Sequence, residues 1–213
     1  MDTKFVLIRH GESMANAALR YAGHSDFELS PYGIEQAEIA ADYFKDEPFA
    51  AIYSSDLKRA YNTALPHAKM RSMDVIASED LREVHVGEWE DVLLSEILVK
   101  WKQEFCVEWR EKFGSCTPPG GESVYHAAKR MHDKLLSIAK EVEGEILVVT
   151  HAAVIRALWC YLHGVEPEKW AQFVSFPSNA SASFLGFDGE KLSPLRFSFD
   201  DYLAGKKTFV VEA

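Results

Sequence analysis

Phe5-Val6-Leu7-Ile8-Arg9-His10-Gly11-Glu12-Ser13 starts as a four-residue apolar run and turns, without a spacer, into charged and small polar residues. Four apolar residues in a row are too few to nucleate a helix but suit a strand buried on both faces, as in a parallel sheet. A second run of this kind, Ile146-Leu147-Val148-Val149, delivers Thr150 and His151. Ligands of open α/β sheets gather beyond the carboxyl ends of the strands. Two histidines far apart in the chain are therefore expected at one crevice.

The intervening sequence supplies the rest of an α/β pattern. Ser30-Pro31 reads as a helix N-cap followed by a first-turn proline, opening a helix to about Lys45 with Ile34, Ala37, Ala41 and Phe44 on one face. Ala50 to Tyr53 reads as a strand, and Asp56 as the cap of a helix to about Ala68. Leu81 to Trp89 reads as irregular or extended. Leu94, Leu98, Trp101, Phe105 and Trp109 recur at spacings of four and three, predicting one helix within Val92 to Lys112. Cys116 to Glu122, with Pro118-Pro119-Gly120-Gly121, is a loop, and Ser123 opens a helix ending near Gly144. Val154 to His163 is helical, and Ser183 to Phe187 and Arg196 to Phe199 are candidate strands. Strand and helix in alternation imply right-handed crossovers, hence a three-layer α/β sandwich: a mainly parallel central sheet with helices on both faces.

The 213 residues carry 47% hydrophobic and 26% charged side chains, which fits one domain, 1–213, able to build its own core. The formal net charge of −10 repels nucleic acid and anionic membrane surfaces, so neither is an expected partner. No apolar stretch approaches the length of a membrane span. Cys106, Cys116 and Cys160 form no C-x-x-C pair and read as free thiols of a cytoplasmic protein.

Individually the polar residues are ambiguous. Gly11 would let backbone approach an anion and a helix start at Ser13 would aim free N–H groups at it, yet the same residues suit a plain surface turn. The Arg59 guanidinium fits phosphate as a fork, but an arginine on a helix also simply faces solvent. His151 could be a satisfied strand-end histidine.

Together they resemble the histidine phosphatase superfamily, the phosphoglycerate mutase-like proteins. The resemblance runs through Leu7-Ile8-Arg9-His10-Gly11-Glu12-Ser13 with Asn16, Leu29-Ser30-Pro31-Tyr32-Gly33, Ser54-Ser55-Asp56-Leu57-Lys58-Arg59, Leu81-Arg82-Glu83 with Gly87 and Trp89-Glu90, Pro119-Gly120-Gly121-Glu122-Ser123, and Thr150-His151. It implies that His10 attacks phosphorus to give a phosphohistidine, with His151 beside it. Arg9, Arg59 and Asn16 would hold the phosphoryl oxygens, and Glu83 would act as acid and then base. Ala22, Gly23 and Ala152 fall where the family touches substrate. No metal and no cofactor is required, because cations and N–H donors stabilise the charge spread over the transferring group. Residues 92–122 would form a helical cap inserted over the site.

The implied activity is a metal-independent phosphomonoesterase acting on a small phosphorylated metabolite. A cofactor-dependent phosphoglycerate mutase and a non-catalytic phospho-ligand-binding module are the alternatives, and a homodimer is left open. Val84-His85-Val86-Gly87-Glu88-Trp89-Glu90-Asp91 carries three acids and no Arg or Lys, unlike the basic stretch of the mutases. The tail Asp200 to Ala213 shows no obvious lid. Ala152-Ala153 replace the family's usual glycines after the second histidine, and Ala22 replaces its usual threonine or glutamine.

Overall fold

The computed structural model describes residues 3–208, so the end of the 200–213 tail lies outside the described residues. In chain order the strands and α-helices are β1 (Thr3–Arg9), α1 (Met14–Ala17), β2 (Arg20–Tyr21), α2 (Pro31–Tyr43), β3 (Phe49–Ser55), α3 (Lys58–Arg71), β4 (Val75–Ser78) and β5 (Val92–Leu93). There follow α4 (Leu94–Lys100), α5 (Val124–Glu141), β6 (Glu145–Thr150), α6 (Ala152–Leu162), α7 (Trp170–Phe173), β7 (Ala182–Phe187) and β8 (Leu192–Phe199). The main sheet has the order β4-β3-β6-β1-β7-β8. Its first four strands are parallel; β7 pairs antiparallel with β1 and β8 antiparallel with β7, so β7 alone runs against the others.

Alternation along β1 explains its unbroken apolar run. Phe5 and Leu7 pack in the layer of Met131, Leu135 and Ile138 from α5 and Leu158 from α6. Val6 and Ile8 face the other way, onto Ala40 of α2 and Ala60 and Ala64 of α3. Each such side chain gains about 1.5–3 kcal/mol on burial, so a strand apolar on both faces needs both helical layers. A third cluster, built on Trp89, Ile97, Phe105, Trp109, Phe113 and Trp170, lies against Ala127 and Ala128 of α5 and Ala153 and Ala157 of α6.

Several local expectations are corrected. Ile34 is exposed, and Gln36 takes the inward position on α2 because its carboxamide is needed as a hydrogen-bond partner for Glu12 N–H. Asp56 does not cap α3; Leu57 occupies the N-cap with no side-chain bond, and the Asp56 carboxylate is bound by Arg82 instead. The helix predicted over 92–112 is broken. It begins as strand β5, runs through α4, turns out of helical geometry at Trp101 and resumes as a π-helical segment, Glu104–Trp109. Within α4 the inward face carries Leu94 and Ile97 rather than Leu98, and the segment after the break keeps Phe105 and Trp109 inside. The helix expected from Val154 starts at Ala152, directly after His151. Strand β4, half exposed at the sheet edge, has no strong apolar signal and was not expected.

Candidate active site

The register of β1 on β6 pairs Arg9 with Thr150, which places the residues that follow, His10 and His151, next to each other. Their rings meet edge to face with centroids 5.1 Å apart, both buried. His10 N–H donates to the Thr150 carbonyl at 2.9 Å, fixing the backbone. The ring Nδ1 lies 2.6 Å from the Gly11 carbonyl oxygen, which can only accept, so Nδ1 carries the proton and Nε2 carries the lone pair. Burial, then the charges of Arg59 and Arg9, hold the His10 pKa well below the ordinary imidazole value. Burial, then Arg59 and His10, do the same to His151. The surroundings thus favour the neutral His10 imidazole, with Nε2 as its unprotonated nitrogen.

Two buried guanidinium groups flank it. Arg9 Nη1 donates to the Pro177 carbonyl at 2.7 Å, and Arg59 binds the 23–25 turn through Nη1 to Ser25 O (2.8 Å) and Nη2 to Gly23 O (2.6 Å). Burial lowers both to about 10, which leaves both charged at neutral pH. Among the described residues, Arg9 Nε, Arg59 Nε and both ring nitrogens of His151 are buried with no hydrogen-bond partner. Buried polar atoms are nearly always paired. An orphan set of this composition is one that an anion with several oxygens would satisfy.

Glu83 reaches the site from the loop after the Glu79–Leu81 3₁₀ turn. Its Oε1 accepts the N–H groups of Val84 (3.0 Å) and Val154 (2.9 Å), and Oε2 that of Ala153 (3.1 Å). A carboxylate at the first turn of α6 is favoured by the helix dipole. His24 Nε2 donates to the Glu83 carbonyl at 2.7 Å, tying the acid to the turn that also holds Arg59.

These groups surround a cavity of about 110 Å³ lined by Arg9, His10, Asn16, Arg59 and Glu83, together with Ala22, Gly23, Ala152 and Ala153. Asn16 uses Oδ1 to accept from Ser13 N–H at 3.1 Å and from Asn179 Nδ2 at 3.3 Å, which leaves its amide NH₂ as the cavity-facing donor. Every site residue expected from the sequence except His151 lines this cavity, and His151 is fully buried with its ring against that of His10. Arg20, Tyr21, Val86, Trp109 and Phe176 complete the wall. Of these Trp109 and Val86 belonged to segments singled out from the sequence, the 92–122 cap and the Val84–Asp91 stretch. Arg20 and Tyr21 stand directly before Ala22-Gly23 and could have been found by extending that motif; Phe176 has no local signal.

Two backbone expectations are corrected. Gly11 does not open room for an anion: a Cβ there would lie 2.4 Å from the Gly33 carbonyl oxygen, so the glycine permits close packing of the loop on α2. Nor are the N–H groups near Ser13 free. Gly11 N–H donates to Thr63 Oγ1, Glu12 N–H to Gln36, Ser13 N–H to Asn16 Oδ1 and Asn16 N–H to Ser13 Oγ. The segment 177–181 was missed and supports the site throughout. Its Pro177 carbonyl receives Arg9, Asn179 donates to the His10 carbonyl, and the Ser181 carbonyl accepts Arg9 N–H.

Other nucleophiles are poorly placed. Burial pushes the Cys116 thiol up to about 12 and the Cys160 thiol to about 11. Among the described residues no group of three or more His, Cys, Asp or Glu converges as metal ligands. No described helix is long and apolar enough to cross a membrane.

Comparison with known proteins agrees with this geometry. The chain is 33% identical over 211 residues to phosphoserine phosphatase 1 of Hydrogenobacter thermophilus, covering 99% of this chain and 97% of that protein. It is 40% identical over 160 residues to the metal-independent phosphoserine phosphatase of Arabidopsis thaliana, covering 74% of this chain and 67% of that one. The solved structure of a mycobacterial glucosyl-3-phosphoglycerate phosphatase superposes with a TM-score of 0.85 at 26% identity, over 94% of this chain and all of that one. The profile of the histidine phosphatase superfamily (branch 1) matches residues 5–200, and the chain belongs to that family.

Proposed function

We propose that this chain is a phosphomonoesterase of small phosphorylated metabolites that works through a phosphohistidine on His10 and needs no metal. The observation that carries this is the neutral His10 ring, with Nδ1 locked on the Gly11 carbonyl, set among buried guanidinium and imidazole nitrogens that lack partners. The phosphoryl group would sit among Arg9, Arg59, His151, the Asn16 amide and the Ala152 N–H, opposite Nε2. Nε2 attacks phosphorus and the ester P–O bond breaks. Glu83, once protonated, gives its proton to the leaving alkoxide, then takes one from the water that cleaves the N–P bond. The fixed cations face the charge of the transferring group in a site largely closed to water, which is where such contacts act most strongly.

Relatives named as phosphoserine and glucosyl-3-phosphoglycerate phosphatases favour hydrolysis over mutase chemistry and over mere ligand binding. So does the Val84–Asp91 stretch, which brings no basic side chain to the cavity. Residues 92–122 act as the cap, with Trp109 forming its wall over the leaving group. The free cysteines suit a reducing, cytoplasmic setting.

The test is hydrolysis of p-nitrophenyl phosphate with and without excess EDTA. Activity that survives EDTA and disappears in His10→Ala is expected; activity lost on chelation, or retained without His10, would refute the mechanism.

A further inference from the structure

The cavity is lined by one charged side chain that phosphoryl transfer does not use. Among the described residues three cations line the cavity: Arg9 and Arg59 around His10, and Arg20 on the wall formed by β2 and β5. Arg20 Nη1 donates to the backbone carbonyl of Asp91 and, at 3.1 Å, to its carboxylate. Its Nε–H and Nη2–H, the edge of the guanidinium plane that binds carboxylates side-on, have no partner among the described residues. Asp91 therefore holds the fork by one corner and leaves its binding edge available.

We propose that Arg20 is a specificity residue that receives a carboxylate on the leaving group, so that the preferred substrates are phosphomonoesters of small hydroxy acids. This assignment rests on the phosphatase reading above. A monoanion fits better than a second phosphate, because Asp91 already offsets part of the Arg20 charge and Glu83 shares the cavity. The neighbouring walls, Val86, Trp109 and Phe176, bring no second cation to share a dianion. A single guanidinium edge against an apolar wall selects one planar carboxylate on a short carbon chain.

The test compares kcat/KM for pairs that differ in the carboxylate: O-phosphoserine against O-phosphoethanolamine, and 3-phosphoglycerate against glycerol 3-phosphate. The wild type should prefer the carboxylate member of each pair. Arg20→Met should lose about tenfold or more of that preference, the size expected for a charge-assisted hydrogen bond. Arg20→Lys should restore only part, having charge without the fork. Asp91→Asn separates this role from a structural one. If Arg20 merely staples β2 to β5, both variants will lose activity equally on every substrate. If it reads the carboxylate, Asp91→Asn will keep the preference. No carboxylate preference in the wild type, or a preference unchanged in Arg20→Met, overturns the inference while leaving the phosphatase reading intact. Failure to hydrolyse even p-nitrophenyl phosphate overturns both.

Discussion

His10 and His151 meet edge to face at 5.1 Å because the β1–β6 register pairs Arg9 with Thr150. Among the described residues only one of the four ring nitrogens, His10 Nδ1, has a hydrogen-bond acceptor. That asymmetry suits the two rings to the different roles proposed for them, His10 as nucleophile and His151 as an oxygen ligand. Rapid quenching into alkali after mixing with a labelled phosphate ester should therefore trap label on His10. His10→Ala should show no label and at least about a thousandfold lower turnover, the scale of losing a covalent nucleophile. His151→Ala should be slowed but should still take up label; label in His10→Ala and none in His151→Ala would reverse the assignment.

Glu83 holds three backbone N–H groups, two of them in the first turn of α6. Glu83→Gln keeps an acceptor for these groups and removes only the exchangeable proton. Turnover of alkyl phosphates should fall about a hundredfold or more, within the range of general acid catalysis, and that of p-nitrophenyl phosphate much less, since its leaving group needs little protonation. Equal losses on both substrates would show that Glu83 is not the acid.

Gly87 sits at φ +56°, and a Cβ there would lie 2.2 Å from the Pro119 carbonyl oxygen. Both the backbone conformation and the close approach require glycine. The contact locks the loop carrying Glu83 against Pro119-Gly120-Gly121, where Glu88 N–H also donates to the Pro119 carbonyl at 2.8 Å. Gly87→Ala should cost about 2 kcal/mol or more, lowering Tm by roughly 4–8 °C for a chain of this size. It should also raise KM by displacing Val86 on the cavity wall. A variant with wild-type Tm would show that the loop relaxes freely.

The two strand ends were legible because a strand buried on both faces leaves an unmistakable apolar run, and because a strand stops where charge begins. Arg59 became legible only alongside the other motifs, since a helical arginine looks alike whether it is buried on Gly23 and Ser25 or solvated. The 92–112 segment misled for a physical reason. Its apolar spacing fits an uninterrupted helix, but a straight rod could not bury Ile97 and Trp109 in one cluster around Trp89. Gly11 misled in another way: the need for glycine was real, but the close approach is to Gly33 and not to a ligand. Phe176, Pro177 and Asn179 were invisible because they act through long-range ring packing, a backbone carbonyl and a side-chain amide bonded to residues more than 160 positions away, for which local sequence has no signature.

His67 supplies a test of acid stability away from the cavity. It is buried on α3 between Phe44 and Phe49, neither ring nitrogen has a partner among the described residues, and Arg71 is the charged neighbour on the same helix. Burial, then Arg71, lowers its pKa from 6.5 to about 3. The folded state thus binds fewer protons than the unfolded state between these values. The neutral ring's contribution is complete above about pH 6.5 and is lost as pH falls toward 3, at up to about 1.4 kcal/mol per pH unit. His10 and His151 add slopes of the same sign, so removing His67 should flatten the curve without abolishing it. His67→Leu also removes two unpaired buried nitrogens, a change that is close to neutral or stabilising when shape is kept. Urea unfolding from pH 7 to pH 4 should show His67→Leu matching or exceeding the wild type at pH 7 and gaining on it at each lower pH. Parallel curves would mean that His67 is protonated in the folded protein and that a partner for it forms on acidification.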